Sequence, residues 1–149
     1  MLRERLNDDM RTALKAREAG KARLSVLRVA MAAVKNREIE LRRELTDEEV
    51  VDVLAREVRS RQDVLPDYER GGRGDLVEKM RQEIRWLEEY LPQRASPEEV
   101  EEALRAQIAA SGAQGMRDIG KVMGPVMQAL RGRADGRLVQ ETAKRLLGG

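Results

Sequence analysis

Three observations predict an all-α fold. Apolar residues recur at helical spacing along nearly the whole chain, no stretch alternates with period two over strand length, and the composition is rich in Leu, Ala, Val, Met, Arg and Glu. Aromatics are only Tyr68, Trp86 and Tyr90. A chain of 149 residues has room for one ordinary domain or two small ones.

The elements follow in order. Leu2, Leu6, Met10, Ala13 and Leu14 line one face of a first helix, which Gly20 is expected to close. Leu24, Leu27, Met31, Val34 and Leu41 form the stripe of a second, with Glu38 breaking register and Val26, Ala30 and Ala33 widening the buried face. Thr46-Asp47-Glu48-Glu49 reads as a capping box, starting a third helix near Asp47 that Pro66 is expected to kink or interrupt. Arg61 falls in its apolar stripe, its stem expected over the core and its head in water. Gly71, Gly72 and Gly74 make a turn, and Asp75 to Glu78 reads as a second box opening a helix that stops by Pro92. Residues 92–96 are the expected linker, and Ser96-Pro97-Glu98-Glu99 is a third box with proline at the first helical position. Val100, Leu104 and Ile108 lead to Gly112, a helix follows over 116–130, then a turn at 132–136 and a last helix. The expected domains are therefore 1–92, with about four helices, and 93–149, a three-helix tail.

Composition excludes much chemistry. Without cysteine or histidine there are no disulfides, thiol nucleophiles, Cys/His zinc sites or imidazole acid–base steps. The carboxylates fall at helix starts and polar faces, so no catalytic constellation is visible and no cofactor or metal is expected. The longest uncharged apolar run, Val29 to Val34, is too short to span a membrane, and charges within the first ten residues exclude a secretory leader. The expected location is the cytoplasm, with no membrane partner.

Charge is segregated. Residues 1–43 carry twelve Lys/Arg against six Asp/Glu, and residues 44–92 carry eight against fourteen. The basic run Arg11, Lys15, Arg17, Lys21, Arg23, Arg28, Lys35 and Arg37 is expected to find its anions mainly in those acidic helices, with an anionic partner as the alternative. Residues 113–149 are again basic, seven against three. There Gly120 and Gly124 lie four apart on one helix, so another helix or a sugar-phosphate strand can approach the bare backbone closely. Pro125 frees the carbonyl of Lys121. Gly120, Lys121, Gly124, Arg131, Arg133, Arg137 and Lys144 form the candidate nucleic-acid-binding set, which without an aromatic would read backbone shape. Gly115 to Val122 also approaches a phosphate-loop pattern, but Val122 replaces the Ser/Thr that binds magnesium and no strand leads in.

Arg23-Leu24-Ser25-Val26-Leu27-Arg28, Lys35-Asn36, Glu44-Leu45-Thr46-Asp47-Glu48-Glu49 and Leu87-Glu88-Glu89-Tyr90-Leu91-Pro92 resemble the GatB/YqeY family, as do Gly120-Lys121-Val122-Met123-Gly124 and Gly132-Arg133-Ala134-Asp135-Gly136-Arg137-Leu138-Val139. Pro125 departs from the pattern. The resemblance implies a helical N-terminal domain and a small tail similar to the end of the B subunit of the glutamine-dependent Asp/Glu-tRNA amidotransferase, where the tail helps to hold tRNA. It implies tRNA as partner, together with a tRNA-charging or amidotransferase enzyme. Alternatives are a part in carbon–nitrogen ligation with glutamine as amide donor, and a helical protein adaptor.

Overall fold

Seven α-helices and no strand make up residues 1–148, the part described in the computed structural model. They are α1 (Leu2–Lys15), α2 (Lys21–Leu41), α3 (Asp47–Arg70), α4 (Gly74–Glu88), α5 (Pro97–Ser111), α6 (Ile119–Ala129) and α7 (Gly136–Gly148), with 3₁₀ turns at Arg17–Gly20 and Met116–Asp118. The chain divides into two compact units, Met1–Leu91 and Pro92–Gly149.

In the first unit α1 packs on α2 and α3 on α4. Leu6, Leu27, Leu54 and Leu87, one from each helix, are fully buried at the centre of the core. Each lies on the stripe that helical spacing assigns to it. Gly20 does a different job from the one expected. α1 ends at Lys15, and Gly20 precedes α2 with its backbone pressed on α1: a β-carbon there would lie 2.0 Å from the Ala13 carbonyl oxygen. Glu38, off the stripe of α2, closes the α2–α3 connection instead. Its carboxylate accepts from Arg3 Nη2 and from the Leu45 backbone N–H, both at 3.0 Å.

The Thr46 capping box forms as expected. Thr46 Oγ1 accepts from the Glu49 N–H at 3.2 Å, and the Glu49 carboxylate accepts from the Thr46 N–H at 3.0 Å. Pro66 does not interrupt α3, which continues to Arg70. The proline is exposed, so water can replace the missing donor. The expected box at Asp75 is absent. α4 starts two residues earlier, at Gly74 with Arg73 in the cap position, and Asp75 bonds the guanidinium of Arg73 at 3.2 and 3.1 Å rather than capping the helix. Gly72, at φ +68°, supplies the left-handed residue that the α3–α4 turn requires.

The second unit is built on a small aliphatic core that includes Val100, Leu104, Val122, Val126, Val139 and Ala143, drawn from α5, α6 and α7. Ser96 and Glu99 form a complete capping box, and α5 ends on Gly112 in the left-handed conformation. The 92–96 segment is not a loose tether. Ala95 is buried and its N–H donates to the Arg133 carbonyl at 2.8 Å.

Candidate nucleic-acid interface

Helical spacing turns Val122 and Val126 of α6 into the core of the second unit and leaves Gly120, Lys121, Gly124, Pro125 and Gln128 exposed on the other side. The two glycines are uncovered. A β-carbon built at either one meets nothing within 4 Å, so close helix packing does not account for them. Gly124, inside an eleven-residue helix, costs about 1 kcal/mol relative to alanine, and Gly120, in the first turn, adds a smaller cost. Pro125 removes another helical hydrogen bond, yet α6 runs through it, because Gln107 Nε2 of α5 donates to the freed Lys121 carbonyl at 3.3 Å. The exposed backbone is therefore held in shape from behind.

Around this strip the cations have unequal roles. Lys121 is 66% exposed and stands 3.5 Å from Asp118, a long pair that leaves the ammonium reachable. The Asp118 carboxylate accepts from the Gln114 backbone N–H, which together with Lys121 holds its pKa below the ordinary aspartate value. Arg137 and Lys144 lie two turns apart on the exposed side of α7, with Glu141 between them. Arg145 pairs with Glu101 of α5 at 3.3 Å.

Arg133 belongs to the architecture. Its Nη2 bonds Glu99 at 2.7 Å and its Nε donates to the Gln93 carbonyl at 2.7 Å, fastening the α6–α7 turn to the start of α5. The rest of the Gly132–Val139 motif also builds that turn. Gly132 has φ +74°, Asp135 accepts from the Arg137 backbone N–H at 3.0 Å, and a β-carbon on Gly136 would press on Met127 at 3.3 Å. Arg131 is half-buried in the same turn. Of the seven sequence-predicted residues, Gly120, Lys121 and Gly124 share α6, Arg137 and Lys144 share a face of α7, and Arg131 and Arg133 lie in the turn between. The near phosphate loop is a 3₁₀ turn running into α6, with α5 before it.

In the first unit the basic run is only partly neutralised by the acidic helices. Arg23 reaches Glu89 at 2.9 Å, whereas Arg11 and Arg37 pair within their own helices with Asp8 and Glu40. Lys15, Arg17, Lys21, Arg28 and Lys35 are exposed. The Leu87–Pro92 motif is a clamp: Tyr90 Oη donates to the Asp9 carboxylate, the Arg5 guanidinium lies 4.5 Å over the ring, and Arg5 Nη2 donates to the Glu89 carbonyl at 3.1 Å. Burial and Asp9 push the Tyr90 hydroxyl up to about 12.

The Arg61 head is not in water. Its side chain is 13% exposed, with Nε bonded to the Glu83 carboxylate at 2.9 Å and Nη1 to the Glu57 carbonyl at 2.9 Å. This pair borders a cleft that the sequence did not announce, since the apolar stripe of α3 gives no sign of a carboxylate waiting on α4.

Two curated relatives bear on the chain. One, from Pyrenophora tritici-repentis, is 24% identical over 147 residues, covering 97% of this chain and 80% of the relative. The other, from Kluyveromyces lactis, is 33% identical over 104 residues, 69% of this chain and 54% of the relative. Both are named altered inheritance of mitochondria protein 41, mitochondrial. Those names correct the expectation of a cytoplasmic location: that expectation rested on early charges and short apolar runs, which say nothing about an organelle address, since such addresses are written in amphipathic, arginine-rich segments. No described helix is long and apolar enough to cross a membrane. The sequence profile described as Yqey-like protein matches residues 3–147, nearly the whole chain, and the chain belongs to that family.

Proposed function

We propose that the protein is a tRNA-binding accessory module and that the exposed strip of α6 is where the nucleic acid lies. The observation that carries this reading is the pair Gly120 and Gly124, uncovered and expensive to helix stability, beside the accessible ammonium of Lys121. A sugar-phosphate strand can approach such a backbone more closely than it can approach side chains, and Arg137 and Lys144 add positive charge on the neighbouring helix. With no aromatic residue in the second unit, the contact would follow backbone shape and not stack on bases. The resemblance to the amidotransferase tail supports tRNA as the RNA and a tRNA-handling enzyme as the further partner.

The glycines provide the test. Because a β-carbon at either position meets open space, Gly120→Ala and Gly124→Ala should each stabilise α6 by up to about 1 kcal/mol. Gly124→Leu should fold equally well and obstruct the strand. Binding of unmodified tRNA at about 50 mM salt should fall by about tenfold or more in Gly124→Leu and in Lys121→Glu/Lys144→Glu, and should weaken steeply toward about 200 mM salt in the parent. No binding by the folded parent, or equal binding by Gly124→Leu, rejects the reading. Arg133 is unsuitable for this purpose, since its loss would loosen the fold.

A further inference from the structure

A cleft of about 540 Å³ opens between α2, α3 and α4 in the first unit, a volume within the usual range for small-molecule sites. Val26 and Val29 of α2 and Trp86 of α4 give it apolar walls. Val29 is 48% exposed although β-branched and apolar, and Trp86 is only partly covered. Arg61 and Glu83 border the cleft as a pre-oriented pair. Each is largely buried, and Arg61 is fixed by bonds from Nε and Nη1 while its Nη2 makes no hydrogen bond among the described residues. Lys21 and Lys79 are exposed and also line the cleft. Arg61 is paired with Glu83 and, at 3.7 Å, with Glu57, so the remaining lining charges are the two lysines, Lys21 and Lys79, against the single carboxylate Glu18.

We infer that this cleft binds a small organic anion with a planar aromatic body. The ring lies against Val29 and Trp86, and the acidic group is held by Lys21 and Lys79 near Arg61. Apolar walls with a few converging cations suit such an amphipathic ligand better than a bare inorganic ion, which would gain nothing from the walls, or a neutral hydrocarbon, which would leave the cations unused. This site lies in the first unit, uses none of the residues of the α6 strip, and stands whether or not tRNA binds there.

Trp86 is the only tryptophan, so its fluorescence reports on the cleft directly. The probe is 1-anilinonaphthalene-8-sulfonate, with the uncharged N-phenyl-1-naphthylamine as its match lacking the sulfonate. Saturable one-to-one binding with energy transfer from Trp86 is expected, tighter for the sulfonate by about tenfold, the size of two partly exposed charge contacts taken together. Lys21→Glu/Lys79→Glu should remove that preference, and Val29→Glu should block both probes, with helical content and Tm unchanged in each. Equal affinity for the two probes would reduce the cleft to an apolar patch and overturn the inference. So would a lysine double variant that still prefers the sulfonate, or the lack of saturable binding by the folded parent.

Discussion

Thr46 and Ser96 begin α3 and α5 in the same way, and in both units an arginine takes hold of the capping-box glutamate: Arg43 grips Glu49 at 2.7 and 2.8 Å, and Arg133 meets Glu99 at 2.7 Å. The two arginines come from different distances. Arg43 lies six residues from its glutamate, in the connection leading into the helix, so its grip is local. Arg133 comes from 34 residues away and also binds the Gln93 and Ala95 backbones, so the same chemistry becomes a tertiary tie. The cores explain why. The first unit joins its helices through a larger core and through part-buried polar contacts, Arg61 with Glu83, Tyr90 with Asp9 and Arg3 with Glu38. The second has a small aliphatic core with its charges at the rim, and a small core gains most from a cross-link.

The largest effect is expected where charge is buried. Glu83→Leu leaves the Arg61 guanidinium with only the longer ion pair to the Glu57 carboxylate, at 3.7 Å, and should destabilise the first unit by about 3 kcal/mol. Arg61→Leu/Glu83→Leu should recover most of that loss, because two apolar side chains can fill the space of a buried pair. Urea unfolding followed by Trp86 emission reads this unit, since every aromatic residue lies in it. A single variant as stable as the parent would show that the pair is wetter than its burial indicates and would remove the contrast between the two cores.

These polar ties were the least legible part of the chain. The helical stripes, two capping boxes and the glycine turn could be read because each is a local pattern whose partners lie within four residues. The opposite holds for Arg61, which in sequence looks like a snorkelling residue in an apolar stripe; its partner Glu83 is 22 residues away on another helix. Gly20 resembled a helix stop, and only the approach to the Ala13 carbonyl reveals why no side chain fits. Asp75 had the spacing of a cap, but Arg73, two residues before it, competes for the carboxylate. On α6 the glycine pair was visible as a candidate, whereas the division of the nearby arginines into fold and surface depends on contacts up to 44 residues apart.

A smaller effect separates the two clamps. Ser96→Ala and Thr46→Ala should each cost about 1 kcal/mol, as cap removals generally do. Arg133→Ala should cost its unit more than Ser96→Ala does, because it also releases the 93–95 segment; Arg43→Ala should cost no more than Thr46→Ala. Amide exchange at α5 and α3 measures both units in one sample. If Arg43→Ala and Arg133→Ala have equal effects, the long-range tie contributes nothing beyond its local bond.

The smallest expected effects depend on pH: acid acts on both units, and base on the first alone. Arg43, and next the Thr46 backbone N–H, lower Glu49 to about 2, while Arg133 and the Ser96 backbone lower Glu99. Both carboxyls bind protons more weakly folded than unfolded, so their stabilisation is present above the ordinary glutamate pKa and is lost as the pH falls through their folded values. Acid should therefore loosen the starts of α3 and α5 alike. Base should discriminate. Tyr90, pushed up to about 12, holds its proton more tightly in the folded state, so its contribution is complete below about pH 10 and is lost as the pH rises through about 12. The second unit has no tyrosine. Methyl resonances of Leu6 and Leu87 should broaden in that alkaline window while those of Val122 and Val139 hold, and Tyr90→Phe should remove the difference. Simultaneous loss of both sets would mean that the Tyr90–Asp9 bond is not what makes the first unit sensitive to base.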